Sequence, residues 1–277
     1  MSAKKWIKTP KSYVTIAMVF YLIIASIGTK NMMGIMNSTI AVAVSLAVDF
    51  IYCMVTNRKS SKDGIVITGL IISLILSVTT PKIIVAGTAA IAILSKHLFV
   101  YKKKPIFNPA AFGLLLSVFV FQSGQSWWGA FGDLSSWTIL FLLIGGYIVT
   151  ERVNKYPQVL SFLGIFFVLL FFMGYFNIGN AADALRPPFI NATLFFGFFM
   201  LTDPPTSPAK VKNQVIFGIL TAVTSIVIYG IFGGLTYLFV GLLAGNLYTY
   251  LNKRSTSKAS SLKQGVSRTQ RYGKMSN

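Results

Sequence analysis

The sequence predicts an all-α polytopic membrane protein of about ten transmembrane helices, arranged as two five-helix inverted repeats with short or broken helices. Composition is the first observation behind this. Of 277 residues, 54% are hydrophobic and 11% charged, and the mean hydropathy is +0.68, far from the balance of a soluble domain. The second is a series of apolar segments at 13–28, 34–55, 64–78, 83–98, 108–121, 136–150, 158–176, 188–202, 214–230 and 234–251. The third is the placement of the 25 lysines and arginines. All but Lys30, Lys82 and Arg186 fall on, or at the edge of, one set of alternate connections and the two termini. The positive-inside rule reads this alternation as ten spans with both termini in the cytoplasm of a plasma-membrane protein.

Each element has a local reason. The first follows Lys4, Lys5, Lys8 and Lys11 with no small-residue cleavage pattern, so it reads as a retained span. The second is full length and carries Asp49 and Cys53. The third is short, running from Gly64 to Val78 between Asp63 and Thr79-Thr80-Pro81. The fourth ends at Lys96-His97, and the fifth opens on Asn108-Pro109, a favoured N-cap followed by a favoured first helical residue. The sixth and seventh are ordinary apolar spans. The eighth runs only from Phe189 to Leu201, between Pro187-Pro188 and Thr202-Asp203-Pro204-Pro205-Thr206-Ser207-Pro208. The ninth and tenth complete the series, and a Ser/Lys-rich tail follows.

A helix needs about 20 residues to cross the hydrocarbon, so the third and eighth segments fall short. Each is the third element of its half, and a proline-bearing break follows each. Five spans per half is an odd number, so the second half enters the membrane from the opposite side. Paired short segments at corresponding positions point to a site between inverted repeats. The expected division is a cytoplasmic N-terminus (1–12), a first repeat (13–126), a second repeat (127–252) and a disordered basic cytoplasmic tail (253–277).

Several chemistries fall away. One cysteine, Cys53, and one histidine, His97, leave no disulfide, thiolate cluster, iron–sulfur site or paired-histidine site within the chain, and no metal ligands are expected. His97 is expected to make an interfacial hydrogen bond, and Asp49 is the deepest acid. No phosphate-binding glycine loop and no Ser/His/Asp constellation is present. The net charge of +19 is spread by topology, so no nucleic-acid partner is expected. The basic tail suits anionic lipid.

The remaining polar groups near the membrane define the candidate site. Asn108, Pro109, Ala110 and Gly113 form a sharp helix start that could be a plain cap or hold a ligand at its amides, and whose small side chains let a helix or a flat ligand approach. Thr202, Asp203, Pro204, Thr206 and Ser207 lie on a break whose prolines free carbonyls that need partners, a ligand or a neighbouring loop. Asp203 could instead cap a loop or pair with Lys210. Thr68 and Gly69 in the third element could line the same cavity or only pack.

These residues carry a resemblance. Lys96-His97 through Lys104 followed by Ile106-Phe107-Asn108-Pro109-Ala110-Ala111-Phe112-Gly113, Thr68-Gly69-Leu70-Ile71, Leu142-Leu143-Ile144-Gly145-Gly146 and Gly197-Phe198-Phe199-Met200-Leu201-Thr202-Asp203-Pro204 resemble motifs of the RnfD/NqrB family. Its members are flavin-bearing membrane subunits of ion-translocating Rnf complexes and Na+-translocating NADH:quinone reductases. The resemblance implies an electron-transport subunit with redox partner subunits. The family attaches FMN to the Thr of an S-G-A-T motif between spans five and six. Here Ser123-Gly124 is followed by no Thr within the short 122–135 loop, so the expected cofactor is a non-covalent flavin (FMN or riboflavin) or a quinone. Trp127 and Trp128 are expected in an interfacial aromatic belt or stacked on the flavin. The alternative is a transporter or channel for a small solute, such as a flavin or vitamin, using the same broken-helix site.

Overall fold

The computed structural model describes residues 6–58 and 62–275. The described residues are helical apart from a hairpin of two two-residue strands, β1 (Val100–Tyr101) and β2 (Lys104–Pro105), and the connecting loops. The helices of the first half are α1 (Pro10–Gly28), α2 (Met33–Thr56), α3 (Lys62–Ile75), α4 (Lys82–Leu98) and α5 (Pro109–Phe121). Those of the second are α6 (Ile139–Val153), α7 (Tyr156–Tyr175), the single turn α8 (Ala181–Ala184), α9 (Phe189–Phe195), α10 (Val211–Phe232) and α11 (Tyr237–Met275). A π-helical turn, Phe196–Met200, prolongs α9.

The boundaries follow the local chemistry. Thr9 accepts from the Ser12 amide ahead of Pro10, and Asn108 accepts from the Ala111 amide ahead of Pro109, both N-caps followed by the proline that suits the first turn. Left-handed residues end α2 at Asn57, α5 at Gln122 and α6 at Asn154. The last helix continues beyond Lys253, so the backbone of the basic tail is helical to Met275, where composition led to an expectation of disorder. No proline interrupts it, and its lysines, arginines and glutamines are good helix formers.

Among the described residues, five helical stretches are long and apolar enough to cross a membrane: Pro10–Gly28, Met33–Thr56, Ser136–Val153, Tyr156–Tyr175 and Val211–Phe232. Pro109–Phe121 and Phe189–Met200 are apolar but shorter, at about 1.5 Å per residue too short for a ~30 Å hydrocarbon layer. Large apolar side chains face outward on many helices, including Phe50, Met54, Ile83, Phe119, Phe171 and Phe232. Water would penalise that surface and lipid does not. The protein is an all-α, multi-pass membrane protein.

Packing within the halves follows one scheme. In the first, α4 packs on α2 and α5, and α3 on α1 and α2. In the second, α10 packs on α7 and α11, while α9 and its π turn pack on α6. Across the middle, α1 meets α6 and α5 meets α11.

An aromatic core fills the centre. Tyr21, Phe131, Phe195 and Phe199 meet at centroid distances of 5.1–6.4 Å. Tyr21 also donates to the Phe141 carbonyl at 2.9 Å, tying α1 to α6. Trp127 and Trp128 belong to this core and form no interfacial belt. Trp127 is 1% exposed and stacks on Phe239 at 5.5 Å. Trp128 donates from Nε1 to the Ser73 carbonyl at 2.8 Å. The short 122–135 loop folds inward because the end of α3 offers it partners: the Ser126 and Trp127 amides both donate to the Ile75 carbonyl. Trp127→Ala should therefore cost about 3–5 kcal/mol as a buried large-to-small change. A belt residue would cost far less, and thermal unfolding of the purified protein in detergent separates the two.

Candidate functional site

The second break is a carbonyl problem. The π turn and the prolines after it release carbonyls that an α-helix would pair internally. Side chains from elsewhere take them up. Asn108 Nδ2 donates to the Met200 carbonyl at 3.3 Å, and Gln158 Nε2 to the Leu201 carbonyl at 2.5 Å. Asn246 Nδ2 donates to the Thr206 carbonyl at 3.3 Å, Lys155 Nζ to the Pro208 carbonyl, and Gln214 Nε2 to the Ala209 carbonyl at 3.0 Å. Asn246 also accepts the Asn108 amide at 2.8 Å through Oδ1. The carbonyls that sequence reasoning left to a ligand or a loop are thus met by buried amides and one lysine.

Beside this knot lies a cavity of about 400 Å³, a size that suits a small-molecule site. Its lining brings together Thr68 from α3, Asn108, Pro109 and Ala110 from the start of α5, and Thr202, Asp203 and Pro204 from the break. Val14, Ile67, Ile71 and Phe199 supply apolar wall, and Lys11, Lys96, Lys103 and Lys104 supply positive charge. The lysines come from separate places in sequence and converge because the basic ends of α1 and α4 and the β1–β2 hairpin share one face. Sequence reasoning missed them as a group. Each had already been explained as a topology signal, although Lys96 and Lys102-Lys103-Lys104 lie within the stretch from Lys96 to Gly113 that carries the resemblance.

Gly64 opens the floor between two of these cations. A Cβ there would lie 4.0 Å from both Lys11 Nζ and Lys96 Nζ and close to nothing else. Asp203 is the acid of the lining, and it does not bridge to Lys210. Its carboxylate accepts from Thr206 Oγ1 at 2.8 Å, which caps the turn. Burial pushes the Asp203 carboxyl above the usual carboxylate range, opposed by the Thr206 hydroxyl and by Lys11, Lys96 and Lys155. Burial likewise brings the Lys155 ammonium down to about 8, with Asp203 resisting.

Other expected residues lie outside the cavity. The Gly69 Cβ position is 2.9 Å from Val42 Cα, and that of Gly113 is 2.7 Å from Ala92 Cβ, so both glycines allow close helix approach. Thr206 lines a neighbouring surface cleft with Lys102, Lys210 and Lys253. Ser207 is buried, and its hydroxyl has no partner among the described residues. The polar atoms of Asn108 are committed to the protein. Thr68 and Thr202 donate to carbonyls one turn back, Gly64 at 2.8 Å and Phe198 at 2.6 Å. The strong donors that line the cavity are ammonium groups.

A helical membrane protein with a basic, apolar-walled cavity at the meeting of two broken segments defines the class, and comparison with known proteins narrows it. The family model described as NQR2, RnfD, RnfE matches residues 1–136 and 121–258. The chain belongs to that family. It is 32% identical over 83 residues to a subunit of the ion-translocating oxidoreductase complex of Vibrio vulnificus strain YJ016, covering 30% of this chain and 23% of the relative. With the subunit of the same name from Vibrio atlanticus strain LGP32 it shares 31% over 116 residues, 41% of this chain and 30% of the relative. The chain thus aligns with less than a third of these relatives' length.

The knot and the cavity make separable predictions. Asn246→Leu orphans the Asn108 amide and the Thr206 carbonyl, each worth about 1–3 kcal/mol when buried, and should lower the thermal midpoint in detergent. Asp203→Asn keeps shape and the Thr206 contact, so its midpoint should stay near wild type. Equal losses for both would show that the turn at Asp203, not the amide knot, holds the break.

Proposed function

We propose that the protein is a membrane subunit of an electron-transport complex and holds a non-covalent flavin mononucleotide in the lysine-lined cavity. The observation that carries this is the cavity itself. It collects three of the four recognised motifs, presents an apolar wall to a flat ring, and sets lysines around Gly64 where an anionic group would lie. Lys11, Lys96, Lys103 and Lys104 would hold the phosphate. Val14, Ile67, Ile71 and Phe199 would flank the ring system, and Thr68 and Thr202 retain acceptor capacity for its N–H groups. The phosphate of FMN matches the positive lining, and uncharged riboflavin or a quinone has no such group, so FMN is preferred. When bound, the flavin supplies the capacity to accept and pass on electrons. The chain orients it, excludes water through the apolar wall, and tunes its potential through positive charge on one side and Asp203 on the other.

In this reading residues 13–126 and 127–252 are inverted repeats, and both termini and the cavity mouth face the cytoplasm of a plasma-membrane protein. The matched packing within the two halves and the pairings of α1 with α6 and α5 with α11 support the repeat. The clustering of lysines supports the orientation. Partner subunits deliver and remove the electrons, as the names of the relatives suggest.

Protein purified in detergent, or incubated with added FMN, should show a flavin spectrum. Denaturation should release FMN and leave no fluorescent band on the gel. Lys11→Ala combined with Lys96→Ala should lower occupancy severalfold. A protein that stays colourless with excess FMN sinks the proposal. Movement of flavin across reconstituted vesicles would favour the transporter alternative.

Orientation is tested separately. Reporters fused after Asn57, Tyr101 and Lys253 should report cytoplasm, and those within 123–135 and 178–185 the exterior. An exterior signal after Lys253 would remove the inverted repeat.

A further inference from the structure

Three side chains outside the cavity form a second site. Asp49 and Cys53 lie one turn apart on α2, and His97 reaches them from α4. His97 Nε2 is 2.9 Å from Asp49 Oδ1, and Cys53 Sγ is 3.7 Å from Asp49 Oδ2. One ligand atom from each of the three lies within 4.8 Å of the others. Asp49 is 2% and Cys53 9% exposed, and the His97 side chain is 13% exposed. Tyr52 stacks on the His97 ring at 4.1 Å and 16°, fixing its plane.

We infer that this cluster binds a divalent transition-metal cation of the zinc type, which clamps α2 to α4. The donor set is the argument. Imidazole nitrogen, thiolate sulfur and carboxylate oxygen are the ligands such an ion takes, at about 2.0–2.3 Å. Tetrahedral coordination at those lengths separates the donors by about 3.3–3.6 Å. The spacings from His97 Nε2 to Asp49 Oδ1 and from Cys53 Sγ to Asp49 Oδ2 bracket that range, and side-chain rotation must draw together the three ligand atoms, which lie within 4.8 Å of one another. Asp49 and Cys53 as anions balance the charge of the ion, and the fourth position is open to water. Sequence reasoning sought paired ligands of one type and found a lone cysteine and a lone histidine. The fold joins them through an aspartate. Calcium and magnesium, which favour oxygen ligands, are poor fits.

Cobalt(II) added alone to the chelator-treated full chain is the probe, because thiolate coordination gives a near-ultraviolet charge-transfer band. The expected result is that band, saturating at one ion per chain and bleached by zinc. Cys53 is the only cysteine, so a thiolate band in the wild-type protein has no other source, even if variants fold poorly. Cys53→Ser should abolish the band. His97→Gln should weaken cobalt binding by more than about tenfold, the lower bound for loss of even an outer partner. No band in the wild-type protein overturns the site and leaves a hydrogen-bonded cluster. Survival of the band in Cys53→Ser, or unchanged affinity in His97→Gln, overturns the three-ligand assignment.

Discussion

Every buried backbone carbonyl released from a helix must find a donor, and in this chain that requirement organises the second half. Between Met200 and Ala209 the chain leaves helical pairing, and five side chains repair the loss: Asn108, Lys155, Gln158, Gln214 and Asn246. They come from the start of α5, the α6–α7 connection, α7, α10 and α11. The position of the break therefore fixes the position of four helices and the connection between two of them. Removing Gln158, Asn246 or Lys155 leaves the carbonyl of a buried residue without that donor, which costs more than the bond itself was worth. The cavity exists because this repair holds the break open while Thr202–Pro205 line one of its walls.

The first break is repaired differently. The end of α3 is met by backbone, with the Ser126 and Trp127 amides on the Ile75 carbonyl and a bridge between Leu76 and Gln125. Trp128 adds its indole N–H to Ser73. One half thus uses a neighbouring loop and the other uses amide side chains. This accounts for how little sequence the halves share even where their helices pack alike: the same need is met by Trp-Trp in one place and by scattered Asn and Gln in the other.

Much of the architecture was legible because its signals are local. The apolar lengths, the Thr9-Pro10 and Asn108-Pro109 starts and the proline-rich break placed the principal helices within a few residues, except that the last runs on to Met275. Thr68, Asn108 and Asp203 line one cavity, a grouping that the paired short segments suggested, with plain packing or loop capping left open for Thr68 and Asp203. What escaped depends on distant pairing. Gln158 and Asn246 read as unremarkable polar residues within spans, and their role emerges only when the break is brought against them. Trp127 and Trp128 follow membrane-interface statistics until the α3 terminus draws their loop inward. For Gly69 and Gly113 the sequence left both a ligand and a neighbouring helix open, and helices occupy that room.

The hydroxyl of Tyr21 on the Phe141 carbonyl and the Asn108–Asn246 pair have a consequence for motion. They join the two halves at separate points, one through α1 and α6 and one through α5 and α11. A carrier that exposes its cargo alternately to each side rocks one half against the other and needs a seam that slides. Asn108 on the Met200 carbonyl and Trp128 on the Ser73 carbonyl cross the same seam, so rocking would break several directional bonds together. A pinned seam fits the role proposed for this subunit, because an electron crosses while the protein stands still.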